Sequence, residues 1–305
     1  MNTSSNIAND FQAAGASSVL SPTRPFYWSV RRELWEFRSI YLAPAIVAAV
    51  FLFGFLISMF RLPSKMRGLD PMQQHEVLQQ PYVFVAGAIM AATFLVAIFY
   101  CLEALYGERR DRSILFWKSL PVSDLTAVLS KASVPVVILP LLTFSITVIT
   151  QFLMVVISSV VLMGSGLGLT GLWSHLALSQ MWMMLLYHLV AIHALWFAPF
   201  YGWMLFVSAW ARRAPLLWAT VPPLAIFVVE RIALGSSYLP GMIGYRLGSG
   251  PEGIPFSTGG MRMDHSMAVL PPWKFVLSPG LWIGLAITTG FLVAAARIRR
   301  SRGPS

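Results

Sequence analysis

Hydrophobic residues in this chain fall into long uncharged blocks, separated by shorter polar and charged segments. A helix of about 20 residues, rising 1.5 Å per residue, crosses the roughly 30 Å hydrocarbon layer of a bilayer. The block pattern therefore predicts an all-α integral membrane protein with six transmembrane helices. Their approximate bounds are Tyr41–Phe60, Tyr82–Leu102, Ala132–Met154, Trp182–Phe206, Leu216–Leu234 and Pro279–Ala296. The third block stays uncharged to Met163, so this helix must tilt or extend beyond the hydrocarbon layer.

Composition supports a membrane protein, because only 11% of the 305 residues are charged and 57% are hydrophobic. The net charge of +10 does not indicate a nucleic-acid partner, since the basic residues lie beside the apolar blocks. Of the 22 Lys and Arg residues, fifteen fall on the inner side and seven on the outer side if the N-terminus is cytoplasmic. This bias predicts that both termini are cytoplasmic.

The domain organisation follows from the same pattern. Residues 1–25 are polar and lack the apolar stretch of a cleavable signal, so we expect a disordered cytoplasmic tail. Residues 26–300 form the six-helix domain, with a long outer loop at 235–278, and residues 301–305 form a second cytoplasmic tail.

An amphipathic helix is predicted immediately before the first span. Its apolar residues recur at helical spacing, and charged residues fill the other faces. A charged helix rich in Trp and Tyr next to a span is expected to lie in the headgroup plane, although it could instead extend the first span into the cytoplasm. The apolar stripe consists of Tyr27, Val30, Leu34, Phe37 and Tyr41, and the charged faces of Arg31, Arg32, Glu33, Glu36 and Arg38.

Charge is concentrated between the second and third spans, in the segment ERRDRSILFWKSLPVSDLTAVLSK at 108–131. Asp111–Leu120 is predicted to form a short helix that Pro121 ends. Ser123 is a good N-cap for the next helix, and Asp124 lies in its first turn, where the helix dipole favours negative charge. The apolar side chains at 114–117 would be exposed here, so they need a partner surface.

This segment resembles the first cytoplasmic loop of ABC-2 type transporter permeases. In that family a charged short helix precedes a Pro-x-Ser corner and a later lysine, which here are Pro121, Ser123 and Lys131. The amphipathic helix, the six spans and the long outer loop extend the resemblance over about residues 25–300.

The resemblance implies the transmembrane permease subunit of an ATP-driven transporter in the bacterial inner membrane, with export as the commoner direction. It further implies a separate ABC ATPase subunit in two copies, which carries ATP and Mg, and a second permease copy, identical or related. The chain would then be no enzyme by itself and would hold no cofactor, and it contains no G-x-x-x-x-G-K-[ST] motif. The coupling contacts would be Arg109, Arg110, Asp111, Arg112, Ile114, Leu115, Phe116, Trp117, Lys118, Pro121 and Ser123.

Two alternatives from other classes remain open. One is an integral membrane metal-binding protein or enzyme; the other is a membrane anchor that recruits a soluble partner. His188 and His193 are five residues apart and poorly placed for one metal, so buried, hydrogen-bonded histidines are the favoured interpretation. The predicted outer loop carries thioether and imidazole groups at alternating positions, namely Met261, Met263, His265 and Met267. Such groups suit Cu(I), although a chain with 15 Met can produce such a run without function.

Glu230 is an acid near the outer end of the fifth predicted span. An ionisable group there must pair or face water. The favoured interpretation is a structural ion pair with Arg231 or Arg246, and the alternative is a contact in a substrate path.

Overall fold

The computed structural model describes residues 23–59, 70–113, 122–164, 178–249 and 272–301. These residues form helices joined by turns, and no β-strand occurs among them. Within the same ranges, six helices are long and apolar enough to cross a membrane, which confirms the predicted all-helical class and the six spans. The spans are Ser39–Met59, Val77–Arg110, Asp124–Val161, Leu178–Trp196, Pro215–Leu234 and Pro279–Ser301.

Twelve α-helices are found in the described ranges. The first six are α1 (Thr23–Glu36), α2 (Ser39–Met59), α3 (Pro71–Ala104), α4 (Tyr106–Arg110), α5 (Asp124–Ser133) and α6 (Leu139–Gly164). The others are α7 (Leu178–His188), α8 (Ala198–Trp210), α9 (Pro215–Val229), α10 (Tyr238–Gly244), α11 (Pro272–Leu277) and α12 (Pro279–Ser301). π-Helical segments at Val134–Ile138 and Leu189–Trp196 connect α5 to α6 and α7 to α8, while Glu230–Leu234 follows α9 and Tyr245–Ser249 follows α10.

Prolines account for two of the π-helical segments, Val134–Ile138 and Leu189–Trp196. Pro135 lies within the first segment, Pro140 follows it in α6, and Pro199 follows the second segment in α8. A proline lacks an N–H group, and its ring crowds the carbonyl four residues earlier. The wider π turn relieves this crowding. The first helix continues directly into α6, whereas a bend at Phe197 separates the second segment from α8.

The third span is longer than the hydropathy pattern predicts. α5, the π segment and α6 run without interruption from Asp124 to Gly164, which at 1.5 Å per residue is about 60 Å. The predicted start at Ala132 is too late, because the uncharged block begins only after Lys131. The helix actually begins at the predicted N-cap: the Ser123 side chain accepts a hydrogen bond from the backbone N–H of Thr126 at 3.1 Å.

Two apolar clusters hold the bundle together. The first lies where α2 packs on α3 and α6, and it includes Phe55, Tyr82 and Met154. The second joins the ends of α2 and α3 to α8 and α12, around Trp196 and Tyr201. α8 and α12 approach closely because residue 202 is glycine: a Cβ there would lie 3.2 Å from the Thr288 methyl group.

Polar side chains connect the second, third and fourth spans inside the bundle. The Gln151 amide donates to the carbonyl of Tyr82 at 2.9 Å and accepts from the Trp182 indole at 2.8 Å. Thr143 donates to Thr93 at 2.8 Å. Such pairs satisfy polar groups that could find no water in the membrane.

Candidate functional site

A cluster of charged side chains lies where α1, α4, α5 and α12 meet at one end of the bundle. Four of its members are buried, with relative exposures of 2–5% for the whole residue. Buried charges are stable only when they are paired, so their partners define the site. We use the name charge cluster for Arg32, Glu33, Glu108, Asp124, Lys131 and Arg299.

Glu108 is the centre of the charge cluster. One carboxylate oxygen, Oε1, lies 3.1 Å from Lys131 Nζ and 3.3 Å from Arg32 Nη1. The other, Oε2, accepts a hydrogen bond from Nη1 of Arg299. Three cations from three different helices therefore share one carboxylate.

Glu33 forms the second buried pair. Lys131 Nζ donates to Glu33 Oε1 at 2.7 Å, and the Tyr100 hydroxyl donates to Glu33 Oε2 at 2.8 Å. The Glu33 and Lys131 side chains are each 2% exposed. The sequence pattern placed Glu33 on the charged faces of α1, apart from the apolar stripe, and did not predict its burial. Glu33 faces the bundle, because Lys131 and Tyr100 compensate the loss of water around its carboxylate.

Arg299 contacts both ends of the loop between the second and third spans. Its Nη1 donates to Glu108, before the loop, and its Nε donates to Asp124, after the loop, at 3.0 Å. Asp124 lies in the first turn of α5, and Arg299 in the last turn of α12. Both positions suit the helix dipoles, which favour an anion at an N-terminus and a cation at a C-terminus.

A small cleft of about 100 Å³ opens beside the charge cluster. Ser29, Val122, Ala127 and Ser130 complete its wall. The cluster has three acids and three bases, so its formal charges balance. The arrangement can fix four helix ends relative to one another, and Arg32 also pairs with Glu36 at 2.8 Å on the exposed side of α1.

Arg109 joins the second span to the end of α8. Its guanidinium donates to the backbone carbonyls of Ser208 at 2.7 Å and Ala211 at 2.6 Å. The Ser208 hydroxyl donates to the Leu102 carbonyl and accepts from the backbone N–H groups of Leu105 and Tyr106. Arg109 is 4% exposed, so its expected place on a partner-facing surface is not what the structure shows.

The other predicted loop contacts divide between exposed residues and residues outside the described ranges. Arg110 is exposed and pairs with Glu103 at 2.9 Å and Asp111 at 3.1 Å. Asp111 and Arg112 are exposed, and Ser123 caps α5. Six predicted contacts lie outside the described residues: Ile114, Leu115, Phe116, Trp117, Lys118 and Pro121.

Glu230 fixes the start of the loop at 235–278 through hydrogen bonds. It is 9% exposed, and its Oε1 accepts from the Ser236 hydroxyl at 3.1 Å and from the backbone N–H of Tyr238. The sequence pattern predicted an anchoring role through an arginine. The anchoring contacts seen here are to the loop itself.

Arg246, the second arginine proposed as an ion-pair partner of Glu230, contacts other groups. Its guanidinium donates to the carbonyls of Trp196, at 2.7 Å, and Gly280, and it lies 4.3 Å from the centroid of the Trp196 ring system. Burial lowers the pKa of the Arg246 guanidinium, because these contacts replace only part of its water. A Cβ at residue 284 would lie 2.6 Å from Arg246 Nη1, so a side chain there would displace the guanidinium from this position.

Gly284→Ala is therefore expected to lower the thermal midpoint in detergent. The added methyl would displace the Arg246 guanidinium from its two carbonyl partners, and overpacking of this kind costs about 1–3 kcal/mol. Gly290→Ala is the matched control, since it lies in the same helix and its added methyl group would enter open space. It should leave the midpoint unchanged or raise it, because alanine favours a helix over glycine. Equal midpoints for the two variants would contradict the role assigned to Gly284.

The histidines of the fourth span do not form a metal site within the described ranges. His193 is buried at 2% exposure, as predicted, and its ring packs edge-on against Phe94 and Phe197. The predicted hydrogen bonding is absent at one atom, because its Nε2 has no partner among the described residues. No group of three His, Cys, Asp or Glu side chains suited to a metal occurs in that part of the chain. Met261, Met263, His265 and Met267 lie outside it.

The fold and this site together define a multi-pass helical membrane protein with a buried charge cluster at one end of its bundle. Comparison of the chain with protein-family models, with curated proteins and with solved structures finds no match. The resemblance to ABC-2 permeases consequently rests on the sequence motif and the order of the helices.

Proposed function

We propose that the chain is the transmembrane permease subunit of an ATP-driven ABC-2 type transporter, acting as an exporter in the bacterial inner membrane. A separate ABC ATPase in two copies binds ATP and Mg, and it docks on the loop between the second and third spans. A second permease copy, identical or related, completes the transporter. This chain needs no cofactor for such a role.

The observation that carries the proposal is the attachment of this loop to the bundle. Glu108 and Asp124 stand at its two ends. Ion pairs connect the buried Glu108 to α1, α5 and α12, and one ion pair connects the part-buried Asp124 to α12. A loop held this firmly at both ends can transmit force from a bound partner to the spanning helices. Arg110, Asp111 and Arg112 are exposed beside it and are available to such a partner.

The surface of α1 supports a position in the headgroup layer on the same side. Trp28 and Trp35 are 56% and 65% exposed. The Arg31 guanidinium lies 5.1 Å and 4.7 Å from the centroids of their ring systems. Aromatic rings with a neighbouring cation are typical of helices at the membrane interface. Under the proposed orientation, this side and both termini are cytoplasmic.

Replacing Phe116 and Trp117 together with alanine is expected to release the ATPase from a folded permease. Buried aromatic anchors dominate small interfaces, and loss of one costs about 2 kcal/mol or more, roughly thirtyfold in affinity. The measurement is a detergent pull-down of the proposed ABC ATPase partner, combined with a thermal melt of the permease. Arg110→Gln with Arg112→Gln should weaken the complex less, because rim charges contribute mainly to steering.

Phe53→Ala with Trp273→Ala provides the control for loss of exposed aromatic area. Both residues are exposed, at 66% and 60%, and lie outside the loop. This control should retain the ATPase. If the Phe116/Trp117 variant also retains it fully, the loop is not the docking element. Metal analysis of the purified chain tests the metal-binding alternative, which requires a stoichiometric metal.

A further inference from the structure

We propose that Arg299 is a positioning residue. It makes the last spanning helix and both ends of the loop between the second and third spans move as one unit. The inference rests on the proposed function for its biological meaning, because a partner bound at the loop would then act on the sixth span. The geometry itself involves this chain alone.

The first argument is that one guanidinium serves two carboxylates. Arg299 Nη1 donates to Glu108, which precedes the loop in the chain, and Arg299 Nε donates to Asp124, which follows it. A guanidinium is rigid and planar, so its donors hold two acceptors at a fixed mutual angle. A lysine ammonium at the same position would keep the charge without this fixed angle.

The second argument concerns burial. The Arg299 side chain is 5% exposed and the Glu108 side chain 3%, whereas the Arg110 and Glu103 side chains are 53% and 37% exposed. Exposed ion pairs are screened by salt and break easily, while buried pairs are screened much less. The Arg299–Glu108 contact is therefore persistent enough to transmit displacement. The Asp124 side chain, at the second contact, is 28% exposed and shares the same buried guanidinium.

The third argument is that α12 packs on the rest of the bundle one turn before Arg299. Its residue Ala295 packs in one apolar cluster with Leu105 of the second span, Val128 of the third span and Ala209 of α8. Lys131, by comparison, pairs with Glu33 and Glu108, which both lie outside the third span. Within the charge cluster, Arg299 is the member that joins the loop's two ends to the last helix.

Distances between nitroxide labels test this inference on the full chain in lipid nanodiscs, in a Cys101→Ala background. One pair joins Asp111→Cys to Ser301→Cys, and the other joins Leu125→Cys to Ser301→Cys, all at exposed positions. Arg299→Lys should turn narrow distance distributions into broad ones for both pairs. Arg300→Lys, at the exposed neighbouring position, should leave both narrow.

Asp124→Asn separates positioning from folding, because it retains the Ser123 cap and removes one carboxylate partner of Arg299. It should broaden the Leu125–Ser301 distribution and spare the Asp111–Ser301 distribution. If Arg299→Lys or Asp124→Asn lowers the thermal midpoint while every distribution stays narrow, Arg299 has only a structural role. Unchanged distributions in Asp124→Asn would overturn the proposal even if Arg299→Lys failed to fold. The measurement needs no ATPase, so it stands or falls separately from the permease proposal.

Discussion

Glu108→Gln is expected to lower the free energy of unfolding by at least about 3 kcal/mol, the scale on which a buried ion pair loses one partner. Three cations share the Glu108 carboxylate, and the substitution leaves three bases facing two acids. Both Glu108 oxygens face cations, so the NH₂ group of the glutamine would lie against one of these cations. Unfolding in mixed micelles by titration with an ionic detergent gives the free energy.

Glu103→Gln is the matched control for Glu108→Gln. It is the same substitution five residues earlier, and it removes a partner of Arg110 from an ion pair exposed on both sides. Such pairs contribute about 0–1 kcal/mol. If both variants unfold at the same detergent fraction, the charge cluster does not hold these helix ends together.

The class of fold could be predicted from the sequence because each span needs only a long uncharged block. Local rules also located the start of the third span, since Ser123 is a side-chain cap that the backbone of Thr126 uses. The π-helical segments were not predicted. Proline marks a disturbed helix in the sequence, but the form of the disturbance depends on the packing around it.

The charge cluster could not be predicted from the sequence, because its members lie far apart along the chain. Glu33, Glu108, Lys131 and Arg299 come together only when four helix ends are placed with the correct rotations. One signal was available: Lys131 and Arg299 adjoin apolar blocks, where an unpaired charge is costly. The enrichment of Lys and Arg on the cytoplasmic side of membrane proteins explains basic residues there equally well. The sequence alone therefore could not identify the partners of Lys131 and Arg299.

Arg109 shows why exposure is hard to infer for the loop. Three arginines lie within four residues, at 109, 110 and 112, and no local sequence feature distinguishes them. The structure buries Arg109 against carbonyls at the end of α8 and leaves Arg110 and Arg112 exposed. The difference arises because the second span ends beside the end of α8, a tertiary contact without a local signature.

Lys131→Met is expected to be about as damaging as Glu108→Gln, because it leaves Glu33 and Glu108 buried without the ammonium group they share. Adding Glu33→Gln should recover part of the loss. The double variant retains two acids, Glu108 and Asp124, against two bases, Arg32 and Arg299, and the new amide oxygen can still accept from Tyr100. Removing both members of a buried pair is generally milder than removing one.

The four-species cycle of wild type, Glu33→Gln, Lys131→Met and the double variant measures this recovery in the same unfolding assay. We expect an interaction energy of about 1–3 kcal/mol, the range for residues in direct contact within one network. Glu33→Gln combined with Arg300→Gln supplies the comparison, since Arg300 is exposed and outside the cluster. That pair should be additive within about 0.5 kcal/mol. Additivity for Glu33 and Lys131 as well would mean that the short contact between them contributes nothing to the fold, and that the charge cluster does not act as a connected unit.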